Sequence, residues 1–271
     1  MQSSSNTVPF VKKVGFPSLV YADPLCAAVQ EHSSLFSTTR STPTQLALQL
    51  REKSLHCGVI SPLEYARQAS GYRIIPNVGV CSNEGASVVR MHFNKGLHGI
   101  TTLAADPNFS SEIVLASILL AENYDTFPKI IPAQGNAHAL LEKADAALVV
   151  GDKNISDEDK MESLDLVELW QDMFEIPFVY GVLASPEDSL TLEEIQTLAS
   201  SGTHAQEKIK SEDEHRFYLS HFSYTLSDEE IEGMKEFFRL AYYYHFINDI
   251  PDEKFHSLNV SPLLTKHVFQ N

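Results

Sequence analysis

The sequence predicts an α/β protein of two lobes, with a ligand cleft between them. Its 271 residues are enough for two hydrophobic cores. Strand and helix patterns alternate along much of the chain, as they do in proteins built around parallel sheets. One set of these elements lies between two crossings, near residues 87–94 and 178–184. We therefore expect lobe 1 to comprise residues 1–90 and 182–271, and lobe 2 to be the inserted residues 91–181.

The elements of the first lobe follow from turn residues and from the spacing of apolar residues. Pro24 and Pro62 each stand where a helix can begin, because proline suits a first helical turn. Apolar residues at helical spacing follow Pro43. In order, we predict a strand over 11–16, a helix over 24–31, a helix over TQLALQLREKS, a strand over CGVIS, a helix over PLEYARQA, and strand pieces over YRIIPN, VGVCS and SVVRMHF that connect the lobes.

Within the second lobe a new set of units begins at Ile100, and it is expected to form a parallel sheet because strands and helices alternate there. We predict strands over ITTLAA, KIIPA, DAALVVGD and EIPFVYGVLAS, and helices over SSEIVLASILLAENY, NAHALLEKA and SLDLVELWQDMF. The charged stretch DKNISDEDKMES is predicted as a solvated loop: it contains Asp157 and Asp159 but lacks the central Gly and terminal Glu of a calcium-binding loop. Helices are predicted over LTLEEIQTLAS, over EDEHRFYLSHFS, and after the capping sequence that starts at Ser227.

Composition argues against several classes of function. The formal charge is −16 and no basic stripe is present, which disfavours binding to nucleic acid or to an anionic membrane. No apolar run reaches the roughly 18 residues that cross a bilayer, and the amino terminus lacks a secretory signal, so a cytoplasmic protein is expected. Cys26, Cys57 and Cys81 are widely spaced, which favours buried thiols. Common nucleotide-binding and metal-hydrolase motifs are missing, so neither a metal nor a nucleotide cofactor is expected.

Serines at predicted helix starts are the first candidates for holding an anionic ligand. Ser110 and Ser111 precede the apolar run IVLASILLAE, and Ser61 precedes PLEYAR. A serine hydroxyl beside the free N–H groups of a first helical turn can bind a carboxylate. The same hydroxyl can instead cap its own helix, so both interpretations stay open for these serines.

Other candidates lie at a strand end and at the crossings. Gly151 and Asp152 end an apolar strand, and ligands of α/β sheets bind beyond such ends, although the pair can equally be a simple turn. Tyr180 lies in a strand expected at the hinge, where its ring either lines a pocket or fills the core. Ser87 stands at the first crossing, and its spacing alone gives it no role.

Several blocks of the sequence, taken in order, are similar to those of one known family. In chain order these blocks are ISPLEYAR, YRIIPNVGVCSNEGASVVRMHF, SSEIVLASILLAENY, DAALVVGD, DLVELWQDMFEIPFVYGVLA and YTLSDEEIEGMKEFFRLAYYYHF, which is the order in the family. DAALVVGD and DLVELWQDMFEIPFVYGVLA resemble blocks that read close to DAALxIGD and DLGxxWxxxTGLPFVFAxW in the chorismate dehydratases of menaquinone biosynthesis. The resemblance covers about residues 14–247, which is nearly the whole chain.

The resemblance implies a periplasmic-binding-protein type II fold used inside the cell, without a metal or nucleotide. It also implies the first step of the futalosine route to menaquinone, in which the dicarboxylate chorismate loses water to give 3-[(1-carboxyvinyl)oxy]benzoate. By resemblance, Ser87, Ser111 and the Gly151–Asp152 strand end face the ligand, and Ser61 and Tyr180 are further candidates.

The chain departs from the family pattern near its amino terminus. There the family carries an Asn in an LNxxPL block, thought to take part in dehydration, and the corresponding VYADPL puts Tyr21 at that place. A phenol donates a hydrogen bond as an amide does, but it cannot offer an amide's donor and acceptor together. The family block GPVASV is also shortened, to GASV. Tyr21 is therefore our candidate for the catalytic position.

Two alternative functions remain open at this point. The 1,4-dihydroxy-6-naphthoate synthase of the same pathway shares the fold, but a SAHAY-like block is expected there and the chain has ISPLEY. The other alternative is a non-catalytic cytosolic binding protein for a small aromatic acid, which applies if Tyr21 prevents the chemistry and not the binding.

Overall fold

The structure, a computed structural model, describes residues 11–94, 96–151, 161–211 and 219–259. Its strands are β1 Lys12–Pro17, β2 Phe36–Ser41, β3 Cys57–Ile60, β4 Tyr72–Ser82, β5 Val89–Phe93, β6 Thr102–Ala105, β7 Lys129–Pro132, β8 Ala146–Val150, β9 Ser163–Asp165, β10 Phe178–Pro186 and β11 Phe222–Ser223. Its α-helices are α1 Asp23–Gln30, α2 Pro43–Arg51, α3 Pro62–Gln68, α4 Ser110–Tyr124, α5 Ala137–Leu141, α6 Leu166–Phe174, α7 Leu192–Ser211 and α8 Asp228–Tyr243. Short 3₁₀ helices occupy Val20–Ala22 and Leu97–Gly99.

The strands form two sheets, the second of which is made by the middle part of the chain. The first has the order β11-β4-β10-β3-β1-β2, with β1 parallel to β2 and β3, and β10 antiparallel to β3 and β4. The second has the order β7-β6-β8-β5-β9, in which β6 is parallel to β7 and β8 whereas β5 is antiparallel to β8 and β9. The chain therefore passes from the first sheet to the second between β4 and β5, and returns between β9 and β10.

The lobe boundaries expected from the sequence, at residues 91 and 181, fall inside β5 and β10. All of β5 belongs to the second sheet, and β10 pairs along its whole length within the first sheet. The crossings observed between the sheets lie in the segments 83–88 and 166–177. The second crossing contains α6, whose Trp170 Nε1 donates to the carbonyl oxygen of Ile176 at 3.0 Å.

Four elements differ from the sequence-based expectation. One is β9, because SLD, predicted as the start of a helix, pairs with β5 instead. β2 was not predicted, because FSTTRS is a mostly solvent-facing edge strand with a single apolar residue. YRIIPN and VGVCS form one strand, β4, whose pairing with β10 is irregular beside Asn77, a residue with a left-handed φ of 64°. The helix predicted over EDEHRFYLSHFS is wrong at its end, since Phe222–Ser223 pairs with the edge of β4; residues 212–218 lie outside the described residues.

One hydrophobic core cluster contains side chains from both lobes. Helix α4 of the second lobe is apolar on most of its surface, and it packs against α3 and α8 of the first lobe as well as against α6. Gly233 of α8 allows a close approach at the second crossing, because a Cβ atom there would lie 1.9 Å from the carbonyl oxygen of Pro177. The two lobes are therefore in direct contact around the crossings.

Candidate functional site

Three aromatic rings from the first lobe meet beside the second crossing. The ring of Tyr21, in the 3₁₀ turn before α1, lies 5.3 Å from that of Tyr180 on β10 and 5.6 Å from that of Phe222 on β11, measured between centroids. Only 3% of Tyr21 is exposed. Its backbone oxygen accepts a 2.7 Å hydrogen bond from the hydroxyl of Tyr224, which holds the turn in place. The structure thus encloses Tyr21 in an aromatic cluster formed with Tyr180 and Phe222.

The hydroxyl of Tyr180 is buried and has no hydrogen-bond partner among the described residues. Tyr180 is 4% exposed, and burial raises its pKa well above the ordinary value. Negative charge on Asp165, Tyr21 and Glu112 adds to this rise. Glu112 in the first turn of α4 and Asp165 at the end of β9 belong to the second lobe, whereas Tyr21 belongs to the first, so groups from both lobes lie near this hydroxyl.

Ser111 presents a second buried hydroxyl without a partner in the described protein. Neither Ser110 nor Ser111 caps α4: the N-cap is Phe109, and both serines lie inside the first turn. The turn before the helix is closed instead by Asp106, whose carboxylate accepts a hydrogen bond from the Asn108 N–H at 2.9 Å. Ser110 is half-buried, whereas Ser111 is 3% exposed. An unsatisfied buried hydroxyl costs about 1–3 kcal/mol, so Ser111 is well suited to contact a ligand.

Glu112 follows Ser111 and was not identified from the sequence. It is 4% exposed, and burial raises the pKa of its carboxyl from 4.5 to about 7. No basic side chain of the described residues pairs with this carboxyl. A hydrogen bond from the backbone N–H of Glu112 itself lowers the pKa, but by less than burial raises it. The available signal was a single acidic residue within the apolar run SSEIVLASILLA, since an unpaired glutamate is almost never fully buried.

Ser61 and Ser87 make hydrogen bonds within the protein. Ser61 is the N-cap of α3, with its Oγ accepting from the Glu64 N–H at 3.3 Å. The Oγ of Ser87 accepts from Arg90 at 3.2 Å, and its backbone N–H donates to Asp165 Oδ2 at 2.7 Å. Both hydroxyls are therefore used locally, in contrast to that of Ser111.

Asp165 joins the first crossing to the start of α6. Its second oxygen, Oδ1, accepts from the N–H groups of Val167 and Glu168, at 2.9 and 3.3 Å. Together with the bond from Ser87, these contacts give the carboxylate three backbone donors. Asp165 was not predicted from the sequence as a site residue, because its position depends on β9, a strand of three residues.

Gly151 lies where β8 of the second lobe reaches the first lobe. Its φ is +99°, and a Cβ atom there would lie 2.7 Å from Leu19 Cδ2 in the turn that carries Tyr21. The absence of a side chain at this position allows the two lobes to approach. Asp152, the other candidate at this strand end, lies outside the described residues, as does the charged loop with Asp157 and Asp159.

A cavity of about 230 Å³ lies beside the same lobe contact, at the carboxyl end of β8. Its lining includes Thr42 of the first lobe and Asp106, Asn108 and Val150 of the second. Thr44 also bridges the lobes, with its hydroxyl donating to the Asn108 carbonyl oxygen at 3.1 Å. The strand end thus forms part of a cleft that is lined by both lobes.

Comparison with known proteins identifies the relationship. The profile of a protein family described as menaquinone biosynthesis matches residues 6–243 of the chain. The chain belongs to this family. Its members have a part in making menaquinone, and the resemblance found in the sequence is confirmed at that level.

Solved structures similar to this menaquinone biosynthesis family member have the periplasmic-binding-protein fold, which confirms the predicted fold class. Protein AF1704 from Archaeoglobus fulgidus superposes with a TM-score of 0.64 at 16% identity, covering 87% of this chain and 98% of that one. The periplasmic aliphatic sulphonate binding protein SsuA from Escherichia coli gives 0.58 at 14% identity, covering 90% and 96%. A Candida albicans gene product, CA3427, described as having the generic periplasmic binding protein fold, gives 0.55 at 12% identity, covering 93% and 99%.

Two kinds of feature are absent from the residues of the family member that the structure describes. In that part of the chain, no helix is both long and apolar enough to span a membrane. Residues 11–94, 96–151, 161–211 and 219–259 also contain no group of three or more His, Cys, Asp or Glu side chains arranged to hold a metal ion.

Proposed function

We propose that the protein is a cytoplasmic chorismate dehydratase, which removes water from chorismate to give 3-[(1-carboxyvinyl)oxy]benzoate. The observation that carries this proposal is the hydroxyl of Ser111, which is buried without a partner in the first turn of α4. The N–H groups of Ser110 and Ser111 precede the first N–H group of the helix that has a backbone acceptor, and the helix dipole favours an anion beside them. One carboxylate of chorismate has the charge and the acceptors that these donors require.

Because the product is aromatic, the elimination is favourable, and it depends more on the orientation of the substrate than on a strong acid or base. A ring proton and the ring hydroxyl leave together as water, while the enolpyruvyl ether stays attached. The hydroxyl of Tyr180 lies near the site. Holding the substrate in one orientation, together with hydrogen bonding, lowers much of the activation barrier to elimination. Tyr21 supplies a phenol where the resemblance expects an amide, and its ring contacts that of Tyr180.

The assay is direct. Purified protein incubated with chorismate should lose the chorismate absorbance and form the enolpyruvyl benzoate, identified by mass spectrometry. In Tyr21→Phe the ring packing is retained and the hydroxyl is lost, so turnover should fall while product binding persists. Folded wild-type protein that produces no enolpyruvyl benzoate would contradict the proposal.

One observation favours a second candidate, a binding protein for a small aromatic acid. Tyr21 is enclosed by Tyr180 and Phe222, an arrangement that also suits a purely structural ring. Thermal stabilisation by chorismate without product formation would select this alternative, because a ligand that binds the folded state stabilises it.

A further inference from the structure

We propose that the cleft takes up a proton together with its anionic ligand, and that Glu112 is the group that holds this proton. The inference rests on the proposed function, because it takes the ligand to be a carboxylate such as chorismate. It adds a residue that the resemblance did not indicate.

The first step is the position of Glu112 relative to the donors. Its carboxyl accepts from its own backbone N–H in the first turn of α4, so it lies at the same helix end as Ser111, which would receive the ligand. It is also close enough to the Tyr180 hydroxyl for its charge to act on that group. A ligand carboxylate held by Ser111 would therefore lie near the Glu112 carboxyl.

The second step is the charge of the surroundings. The charge of Glu112 acts on the Tyr180 hydroxyl on β10, on which Asp165 and Tyr21 act as well. The basic side chains of the neighbouring helices are paired elsewhere, since Arg67 of α3 contacts Glu64, Lys235 and Arg239 of α8 contact Glu232 and Glu236, and the charged residues of α6, Glu168 and Asp172, are acidic. An ionised Glu112 would thus face a ligand carboxylate without a compensating cation from the described protein, and the two charges would repel.

The third step concerns which carboxyl can accept the proton. Both oxygens of Asp165 are already occupied, because they accept three backbone N–H bonds. Glu112 has only its own backbone N–H, and its burial brings its pKa to about 7. Binding of an anion beside it favours the neutral form further, so ligand and proton should bind together near neutral pH.

The experiment measures proton uptake directly. Binding of 3-[(1-carboxyvinyl)oxy]benzoate, the product of the proposed reaction, is followed by calorimetry at pH 8 in buffers of different ionisation enthalpy. Wild-type protein should take up close to one proton per ligand, and its affinity should fall by about tenfold per pH unit above pH 7. In Glu112→Gln the proton uptake should vanish and the affinity should stay within about twofold across this range. Glu142→Gln, which removes an exposed carboxyl from the same lobe, should behave as wild type.

Each other outcome has a distinct meaning. Ligand binding without proton uptake by the wild type, or an unchanged pH dependence in Glu112→Gln, overturns the role of Glu112 while leaving the proposed function intact. The wild-type measurement decides this even if the variant fails to fold. Absence of binding by chorismate and by the product at every pH, with folded protein, overturns both proposals.

Discussion

The first turns of α3 and α4 look alike in the sequence but have different roles in the structure. Ser61 precedes α3 in extended conformation and caps it through the Glu64 N–H. Ser111 lies two residues after the N-cap Phe109, inside the first turn of α4, and its hydroxyl is buried without a partner among the described residues. The acidic residues differ in the same way, since Glu64 pairs with Arg67 at 3.1 Å whereas Glu112 is buried. The first turn of α3 is therefore satisfied by its own side chains, whereas that of α4 keeps a hydroxyl unpaired in the described protein and a buried carboxyl.

This difference predicts that Glu112→Gln has the largest effect on stability. Burial raises the pKa of the Glu112 carboxyl from 4.5 to about 7, so between these values the folded protein keeps a proton that the unfolded chain releases. Wild-type stability must therefore fall as the pH rises through this range. Gln cannot ionise, and the variant should gain about 3 kcal/mol in free energy of unfolding, relative to wild type, between pH 4 and pH 8.

Urea unfolding of both proteins at these pH values measures the change. Glu142→Gln is the matched control, because its carboxyl is exposed, and its difference from wild type should stay within about 0.5 kcal/mol. A Glu112→Gln difference that does not vary with pH would mean that the carboxyl is solvated and that the two helix ends are more alike than the structure indicates.

Periodicity and turn residues were sufficient for most of the fold. They located α4, α6 and the start of α8, where Ser227 and Glu230 form a complete capping box. They failed for β2 and β11, which are strands because a neighbouring strand offers backbone partners, a contact that local patterns do not contain.

The candidate site was less accessible to sequence reasoning than the fold. The sequence indicated Ser111 and Tyr180 as candidate ligand contacts but could not distinguish that role from a structural one. The structure adds that their hydroxyls are buried and unpaired among the described residues. Glu112 and Asp165 were missed, because burial and three converging N–H donors arise only when the crossings are assembled. The start of α4 was predicted correctly, but its cap depends on Phe109 and on the turn made by Asp106.

Ser111→Ala is expected to separate function from stability. If Ser111 binds the carboxylate of chorismate as proposed, removal of its hydroxyl should lower kcat/KM for chorismate by roughly tenfold to a hundredfold. The free energy of unfolding of the ligand-free protein should rise by up to about 1–3 kcal/mol, because the variant no longer buries a hydroxyl that has no partner in the described protein. Ser117→Ala on the same helix is the control, since its hydroxyl bonds back to the Ile113 carbonyl oxygen at 2.8 Å. Equal activity in the two variants would count against Ser111 as a ligand contact.

Ser61→Ala should give the smallest and the opposite effect. Its hydroxyl satisfies an N–H group of α3, and loss of such a cap typically costs about 1 kcal/mol of stability. Because that hydroxyl is used within the protein, the change should appear in the urea midpoint and not in the turnover of folded enzyme. Ser61→Thr keeps a capping oxygen and should recover most of the lost stability. If Ser61→Ala instead abolished turnover at unchanged stability, both helix ends would serve the ligand, and α3 would supply the donors for its second carboxylate.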